Sequence, residues 1–335
     1  VTLLEFRDLH VIYTGSRGRL PAVRGVNLSV DAGETLGIAG ESGCGKSTLA
    51  MAVLRLLPKH AEVTGQILLD GEDLLAMGWG RLRAVRWTGA SIVFQGAMHS
   101  LNAVQRIGRQ VAEPILVHEQ TTPAKAAKRA EELLERVGLP PSRARSYPHE
   151  LSGGQRQRVM IAMALACDPD LVIADEATTA LDVMVQAQVL QLISGLVAER
   201  GLSMVLISHD LSVLSAVCDR AAVMYAGRIV EQGPAREVFA NARHPYSAAL
   251  GAAFPVIGDP AARRRPGGLA GDPPDPARLP DGCSFRPRCA VAVERCGDES
   301  PALLPVPPVG SAVADPARTS ACFVAQEGEP VVAQR

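Results

Sequence analysis

Apolar and polar positions alternate loosely over residues 1–34, where Leu3, Phe6, Leu9, Val11 and Tyr13 precede Val23, Val26, Leu28 and Val30. A period near two predicts an antiparallel β region, broken by the polar loop at 14–21. The pattern then turns to short apolar runs. Residues 35–39, 90–94, 171–174 and 203–207 each read as a strand, and the run at 171–174 as a parallel strand buried on both faces. Helical stretches lie between them: 47–57, stopped by Pro58; 123–137, closed at Gly138; and 185–200, closed at Gly201. Residues 65–69 with Asp70-Gly71 predict a strand and tight turn, and 221–233 a hairpin folded about Gly227. Strands alternating with helices point to an α/β core. Residues 100–146 are mostly helical and hold no catalytic residue types at useful spacing, as a helical insertion would. From 255 to 308 the chain is rich in Pro, Gly and Arg, with little periodicity. A boundary near residue 250 therefore divides a domain of residues 1–250 from an extension of residues 251–335.

Composition narrows the function. With 335 residues, 47% of them apolar and 21% charged, the chain can bury one large core plus a smaller one. Its 34 basic and 35 acidic side chains leave a net charge of −1, without the basic excess of a nucleic-acid binder, so no nucleic-acid partner is expected. The longest apolar run, 159–167, falls well short of the roughly 18 residues a membrane span needs. The first residues show no basic-then-apolar signal pattern. Membrane work is then expected from the cytosol, through a partner. The seven cysteines are expected to be reduced thiols or metal ligands, not disulfides.

Three stretches carry chemistry. Gly40, Glu41, Ser42, Gly43, Cys44, Gly45, Lys46 and Ser47 match G-x-x-x-x-G-K-[ST] between a predicted strand and helix. Glycines let backbone N–H groups wrap phosphates there, Lys46 reaches the β/γ oxygens, and the Ser47 hydroxyl ligates Mg²⁺. Cys44 precedes Lys46 and a helix N-terminus, where thiolate is favoured; the alternative is a small, inert loop residue. Leu151-Ser152-Gly153-Gly154-Gln155 sets a hydroxyl and two bare backbone positions at a helix start, a second anion site. The run 171–176 delivers Asp175 and Glu176 to the carboxyl edge of a sheet, where α/β ligands bind. One carboxylate there can hold Mg²⁺ and its neighbour can position an attacking water. His209 ends another strand and either contacts a γ-phosphate or has no role. Tyr13 either offers a ring face to a base or fills a strand end. Gln95 after a strand means little by itself.

Lys46, Gln95, the LSGGQ, Asp175–Glu176 and His209 occur in one order, and this set resembles the ATP-binding cassette (ABC) ATPases over roughly residues 3–240. The resemblance implies a P-loop ABC-type nucleotide-binding domain, a RecA-like core with an antiparallel β subdomain and a helical subdomain. It implies ATP and Mg²⁺ as cofactors. On this likeness Tyr13 stacks on adenine, and residues 40–48, ending at Thr48, form the Walker A loop. Gln95 touches Mg²⁺ and senses the membrane partner. Ser152, Gly153, Gly154 and Gln155 belong to the signature, Asp175 is the Walker B magnesium ligand and Glu176 the catalytic base. Ala180-Leu181-Asp182 is similar to the D-loop, and His209 to the switch histidine. The signature would close over ATP held by another subunit's Walker A, so a lone subunit could not complete a site.

A narrower likeness lies in Gln95-Gly96-Ala97-Met98 with Ser100-Leu101-Asn102, in His244-Pro245-Tyr246, and in Gly282-Cys283-x-Phe285-x-Pro287-Arg288-Cys289. These resemble the oligopeptide/dipeptide importers, and the first is nearer the first of their two paired ATPases. The likeness implies a subunit that hydrolyses ATP to energise import of peptides or related small solutes. It would lie peripherally on the cytoplasmic face of the membrane. Its partners would be a paralogous ATPase or a second copy of itself, two transmembrane permeases and an extracytoplasmic substrate-binding protein. Ala177 and Ala103 stand where the subfamily usually has proline, which loosens two loops without removing a chemical group. A soluble ABC ATPase acting on DNA or ribosomes would tend to carry tandem cassettes or a long coiled coil, and a GTPase an Asn-Lys-x-Asp motif. This sequence shows none of these.

Cys283, Cys289, Cys296 and Cys322 gather in the extension as C-x5-C-x6-C and a distant fourth. Zinc knuckles of the C-x2–4-C type are absent. Four widely spaced thiolates suit a [4Fe–4S] cluster better; zinc, or free thiols in a loose tail, are the alternatives. With few apolar residues for a core of its own, this segment is expected to fold around such a centre.

Overall fold

The computed structural model describes residues 1–335 apart from 16–17, 95–99, 178–182, 254–268, 270, 312 and 332–335, and of 183–184 the backbone alone. Its strands are β1 (Thr2–Gly15), β2 (Gly18–Asp31), β3 (Thr35–Ala39), β4 (Ala61–Leu69), β5 (Glu72–Asp73) and β6 (Ala90–Val93). There follow β7 (Leu171–Asp175), β8 (Ser203–Ile207), β9 (Arg220–Tyr225), β10 (Arg228–Pro234), β11 (Leu304–Val306) and β12 (Asp315–Ser320). The chain divides into two compact units: residues 1–4, 30–34 and 68–207, and residues 5–29, 35–67 and 208–335. Among the described residues no helix is long and apolar enough to cross a membrane.

In the first unit β6, β7 and β8 run parallel, with Leu171 opposite both Ala90 and Ser203. Every residue of the three strands is buried, which is why they read as continuous apolar runs and not as alternation. The helices Ile107–His118, Pro123–Arg136 and Gly153–Ala164 pack on one another. Pro123–Arg136 buries Ala126, Ala130, Leu133 and Leu134, one stripe at helical spacing. Thr122 caps it by accepting the Lys125 N–H, Pro123 opens it, and Gly138 turns the chain away at a φ of 72°. Asp70 and Gly71, with φ of 49° and 78°, form the expected tight turn, pairing Leu69 with Glu72.

The second unit holds the β9–β10 hairpin, turned at Ala226 and Gly227, with β3 parallel to β9. Here two expectations fail. The polar loop at 14–21 is largely strand, since β1 runs to Gly15 and β2 resumes at Gly18. Arg19 pairs with Glu62 on β4 at 2.8 Å, so the polarity of that stretch marks a solvent-facing ladder. The helix after the phosphate loop spans Lys46–Val53 and stops short of residue 57. Arg55 adopts a φ of 49°, its N–H reaches the Ala52 carbonyl at 3.0 Å, and the Leu56 N–H reaches Met51 at 2.9 Å. That is a Schellman closure with arginine in the usual glycine position.

The extension is also better built than its composition suggests. It adds β12 to the edge of β10, with Glu231 opposite Ser320, and β11 beyond it. Val306, Cys322, Ala325 and Val331 form a small apolar cluster, and Phe285 packs edge-on against Tyr225 at 5.2 Å. Glu231 is fully buried, accepting the N–H groups of Arg243 at 2.7 Å and His244 at 2.9 Å, and Arg318 Nη2 at 3.0 Å. The segment completes its core on residues of β9 and β10, so single apolar side chains suffice where a period was sought.

Candidate functional site

The phosphate loop is shaped by close approaches. Gly45 has a φ of 110°, and a Cβ there would lie 2.2 Å from the Ala22 carbonyl oxygen; at Gly40 the same atom would lie 2.3 Å from that of Met224. Only glycine fits either position, and a loop so wound lines a concave anion site with backbone N–H groups. Lys46 is buried, with Nζ donating to the carbonyls of Gly40 at 2.8 Å and Glu41 at 3.0 Å. The loop is tied down by the Gly227 N–H on the Cys44 carbonyl at 3.0 Å and by the Glu41 N–H on the Tyr246 hydroxyl at 2.8 Å. Tyr13, beside the loop, shares a hydrogen bond of 3.1 Å with Thr48 Oγ1, and its ring lies 6.0 Å from that of His60.

Cys44 departs from the thiolate expectation. It is buried, and loss of solvent raises its pKa against the smaller lowering by Lys46, whose ammonium is 3.8 Å from Sγ. Burial at this position favours the inert-thiol alternative.

On the first unit, Ser152 stands at the N-cap of Gly153–Ala164. Its Oγ accepts the Gln155 N–H at 3.3 Å while Gln155 Oε1 accepts the Ser152 N–H at 3.1 Å, a capping box. Asp175 ends β7, buried. Glu176 follows in a left-handed conformation, φ 44°, with its N–H on the Ile207 carbonyl at 3.0 Å. Such backbone is costly for glutamate and concentrates where a side chain must be aimed. On the second unit His209 is exposed, and Asp210 caps the helix Leu211–Val217 by accepting the Ser212 and Val213 N–H groups.

The structure thus groups Tyr13, residues 40–48 and His209 on one unit and the signature, Asp175 and Glu176 on the other. Gln95 and Asp182, with Ala180 and Leu181, lie outside the described residues. Two partners of the loop, Tyr246 and Arg288, were not singled out for it. An acidic residue inside a phosphate loop was the available signal.

Cys283, Cys289, Cys296 and Cys322 line one small cavity together with Phe285 and His244. Burial raises the pKa of Cys283 and Cys322 and lifts Cys289 to about 11, and neighbouring cysteines add to each rise. Among the described residues no three His, Cys, Asp or Glu side chains are grouped so as to hold a metal ion. The thiols are gathered around a cavity without forming a ready ligand set, which gives the iron–sulfur and zinc expectations no direct support.

The family description "ABC transporter" matches residues 23–179, and "Oligopeptide/dipeptide transporter, C-terminal region" matches residues 230–296. A putative peptide import ATP-binding protein of Brucella melitensis is 44% identical over 317 residues, covering 91% of this chain and 94% of the relative. The oligopeptide transport ATP-binding protein OppD of Salmonella typhimurium is 43% identical over 323 residues, covering 96% and 93%. Among solved structures, a dimeric ATP-binding cassette bound to ADP and Pi in a post-hydrolysis state matches with a TM-score of 0.63 and 28% identity, over 70% of this chain and 99% of that one. The cassette cbiO1 of Clostridium perfringens, part of the ABC transporter complex cbiONQ, matches at 0.60 and 30%, over 71% and 91%. The glycine-shaped phosphate loop and the capped LSGGQ helix are therefore those of an ATP-hydrolysing cassette, and the chain belongs to the ABC transporter family, in its oligopeptide/dipeptide branch.

Proposed function

We propose that this chain hydrolyses ATP to energise import of di- or oligopeptides, or related small solutes, through a membrane permease complex. The observation that carries this reading is the 43% identity to an oligopeptide transport ATP-binding protein across 96% of the chain, together with its matching C-terminal region. Two permeases, a binding protein outside the membrane, and a second cassette, paralogous or identical, complete the machine. The subunit then sits peripherally on the cytoplasmic face, with residues 251–335 as an extension of a cassette formed by 1–250.

The residues fit ATP. The loop, wound so closely on its neighbours that Gly40 and Gly45 admit no Cβ, takes phosphates, and Lys46 exchanges its loop carbonyls for phosphate oxygens. Tyr13 stacks on the base. Ser47, Asp175 and Gln95 supply oxygen ligands suited to Mg²⁺. The ion, when bound, spreads charge developing on the phosphate oxygens. Glu176 orients and deprotonates the attacking water, and His209 contacts the γ-phosphate. Ser152, Gly153, Gly154, Gln155 and Asp182 contact nucleotide held by the facing cassette, a pairing supported by the dimeric solved relative. Reconstituted with its permeases, the chain is expected to hydrolyse ATP faster when peptide-loaded binding protein is added. Turnover indifferent to every peptide offered would contradict peptide as cargo.

A second reading concerns the extension. A [4Fe–4S] centre would use four thiolates, and four cysteines line one cavity here, although among the described residues they are not grouped as a ready ligand set. Protein prepared without oxygen should then be brown and contain iron and acid-labile sulfide. Stoichiometric zinc would select that ion, and metal-free protein would leave four thiols.

A further inference from the structure

We propose that Arg288, in the C-terminal extension, is a positioning residue for ATP binding, because it neutralises and holds Glu41 of the phosphate loop. The proposal rests on that loop being the ATP site. Glu41 is an anion in a loop that must receive a polyanion. Left unpaired, its carboxylate would repel phosphate oxygens through a poorly screened environment.

The geometry answers this charge directly. Arg288 Nη1 donates to Glu41 Oε2 at 2.7 Å and Nη2 to Oε1 at 3.0 Å, a bidentate fork spanning 247 residues of sequence. The Arg288 side chain is 5% exposed and that of Glu41 23%, so water screens the pair little. The guanidinium has supports besides its partner: it lies 5.9 Å from the ring centres of both Tyr225 and Phe285, and Nη1 is 3.4 Å from the Tyr225 hydroxyl. Glu41 is meanwhile engaged at every polar group. Its N–H donates to Tyr246, its carbonyl accepts Lys46 Nζ at 3.0 Å, and its carboxylate takes Arg288. The residue fixed by the extension is thus one that holds the phosphate-binding lysine. Phe285 and Arg288 also lie between Cys283 and Cys289, so the fork and the cysteine cavity share one segment of chain.

The test exploits an asymmetry. Arg288→Gln and Glu41→Gln break the same ion pair, but only the first leaves a bare carboxylate in the loop. Equilibrium binding of a fluorescent ATP analogue with Mg²⁺ to the full chain is expected to weaken on the order of tenfold for Arg288→Gln. Glu41→Gln should weaken it less, and the double variant should match Glu41→Gln, a rescue by removing the second charge. Arg288→Lys, which keeps the charge without the fork, should bind between wild type and Arg288→Gln, and stands in should Arg288→Gln fail to fold. Unchanged affinity in Arg288→Gln would overturn the proposal. So would equal losses in both single variants with no rescue in the double, which would make Arg288 a packing residue of the extension. Wild-type protein that bound no ATP analogue would instead contradict the ATP reading of the loop.

Discussion

His244 is fully enclosed, its Nδ1 accepting the Tyr246 N–H at 3.1 Å, and burial pushes the imidazole down to about 3. The folded state therefore resists a proton that the unfolded chain takes up near pH 6.5. The stability this neutral ring contributes is complete above that value and is lost as pH falls from there toward 3. At about 1.4 kcal/mol per pH unit, wild-type protein should lose roughly 2 kcal/mol more than His244→Gln between about pH 7 and pH 5. Urea unfolding at the two pH values checks this, and equal losses would contradict it. Single residues were legible in the sequence where a motif fixed their neighbours, as with Lys46, Ser152 and Asp175. They were not where burial competes with charge: sequence left Cys44 open between an activated and an inert thiol, and burial raises its pKa despite Lys46. Nor could sequence reveal that Glu41 meets Arg288, since no local pattern links residues so far apart.

Among the elements, the helix Gly153–Ala164 begins on a reciprocal cap that also presents the signature's backbone. Ser152→Ala removes the acceptor of the Gln155 N–H and should cost about 1 kcal/mol of stability, while Ser152→Thr should retain most of it. The two denaturant midpoints, at unchanged slope, measure this; identical midpoints for Ser152→Ala and wild type would show that the cap contributes nothing. Buried parallel strands announced themselves, because β7 as far as Ala174 and all of β8 are apolar or small. The turns at Asp70-Gly71 and Gly227 were equally plain from their residues. The ends of β1 and β2 were hidden by the polar side chains that stabilise them. β11 and β12 were hidden because Leu304–Val306 and Asp315–Ser320 are short, contain proline and are ordered by pairing with existing strands. The early stop of Lys46–Val53 could not be foreseen either, since it rests on an arginine in a conformation that usually calls for glycine.

For the whole molecule, the sequence carried the family and the order of its motifs, while the cut near residue 250 came from composition alone. The described structure instead sorts the motifs between two units, one with the phosphate loop and one with the signature, Asp175 and Glu176. The C-terminal extension joins the unit of the phosphate loop, which is how Arg288 comes to face Glu41. We propose that the ATP turnover of this chain depends on Glu176, the carboxylate next in sequence to the proposed Mg²⁺ ligand Asp175. Glu176→Gln keeps the side chain's size and polarity and removes the proposed base. In the assembled transporter this variant is expected to retain ATP binding, to lose about 10³-fold in hydrolysis and to accumulate the ATP-bound closed pair. Near-normal hydrolysis by Glu176→Gln in that assembly would contradict it.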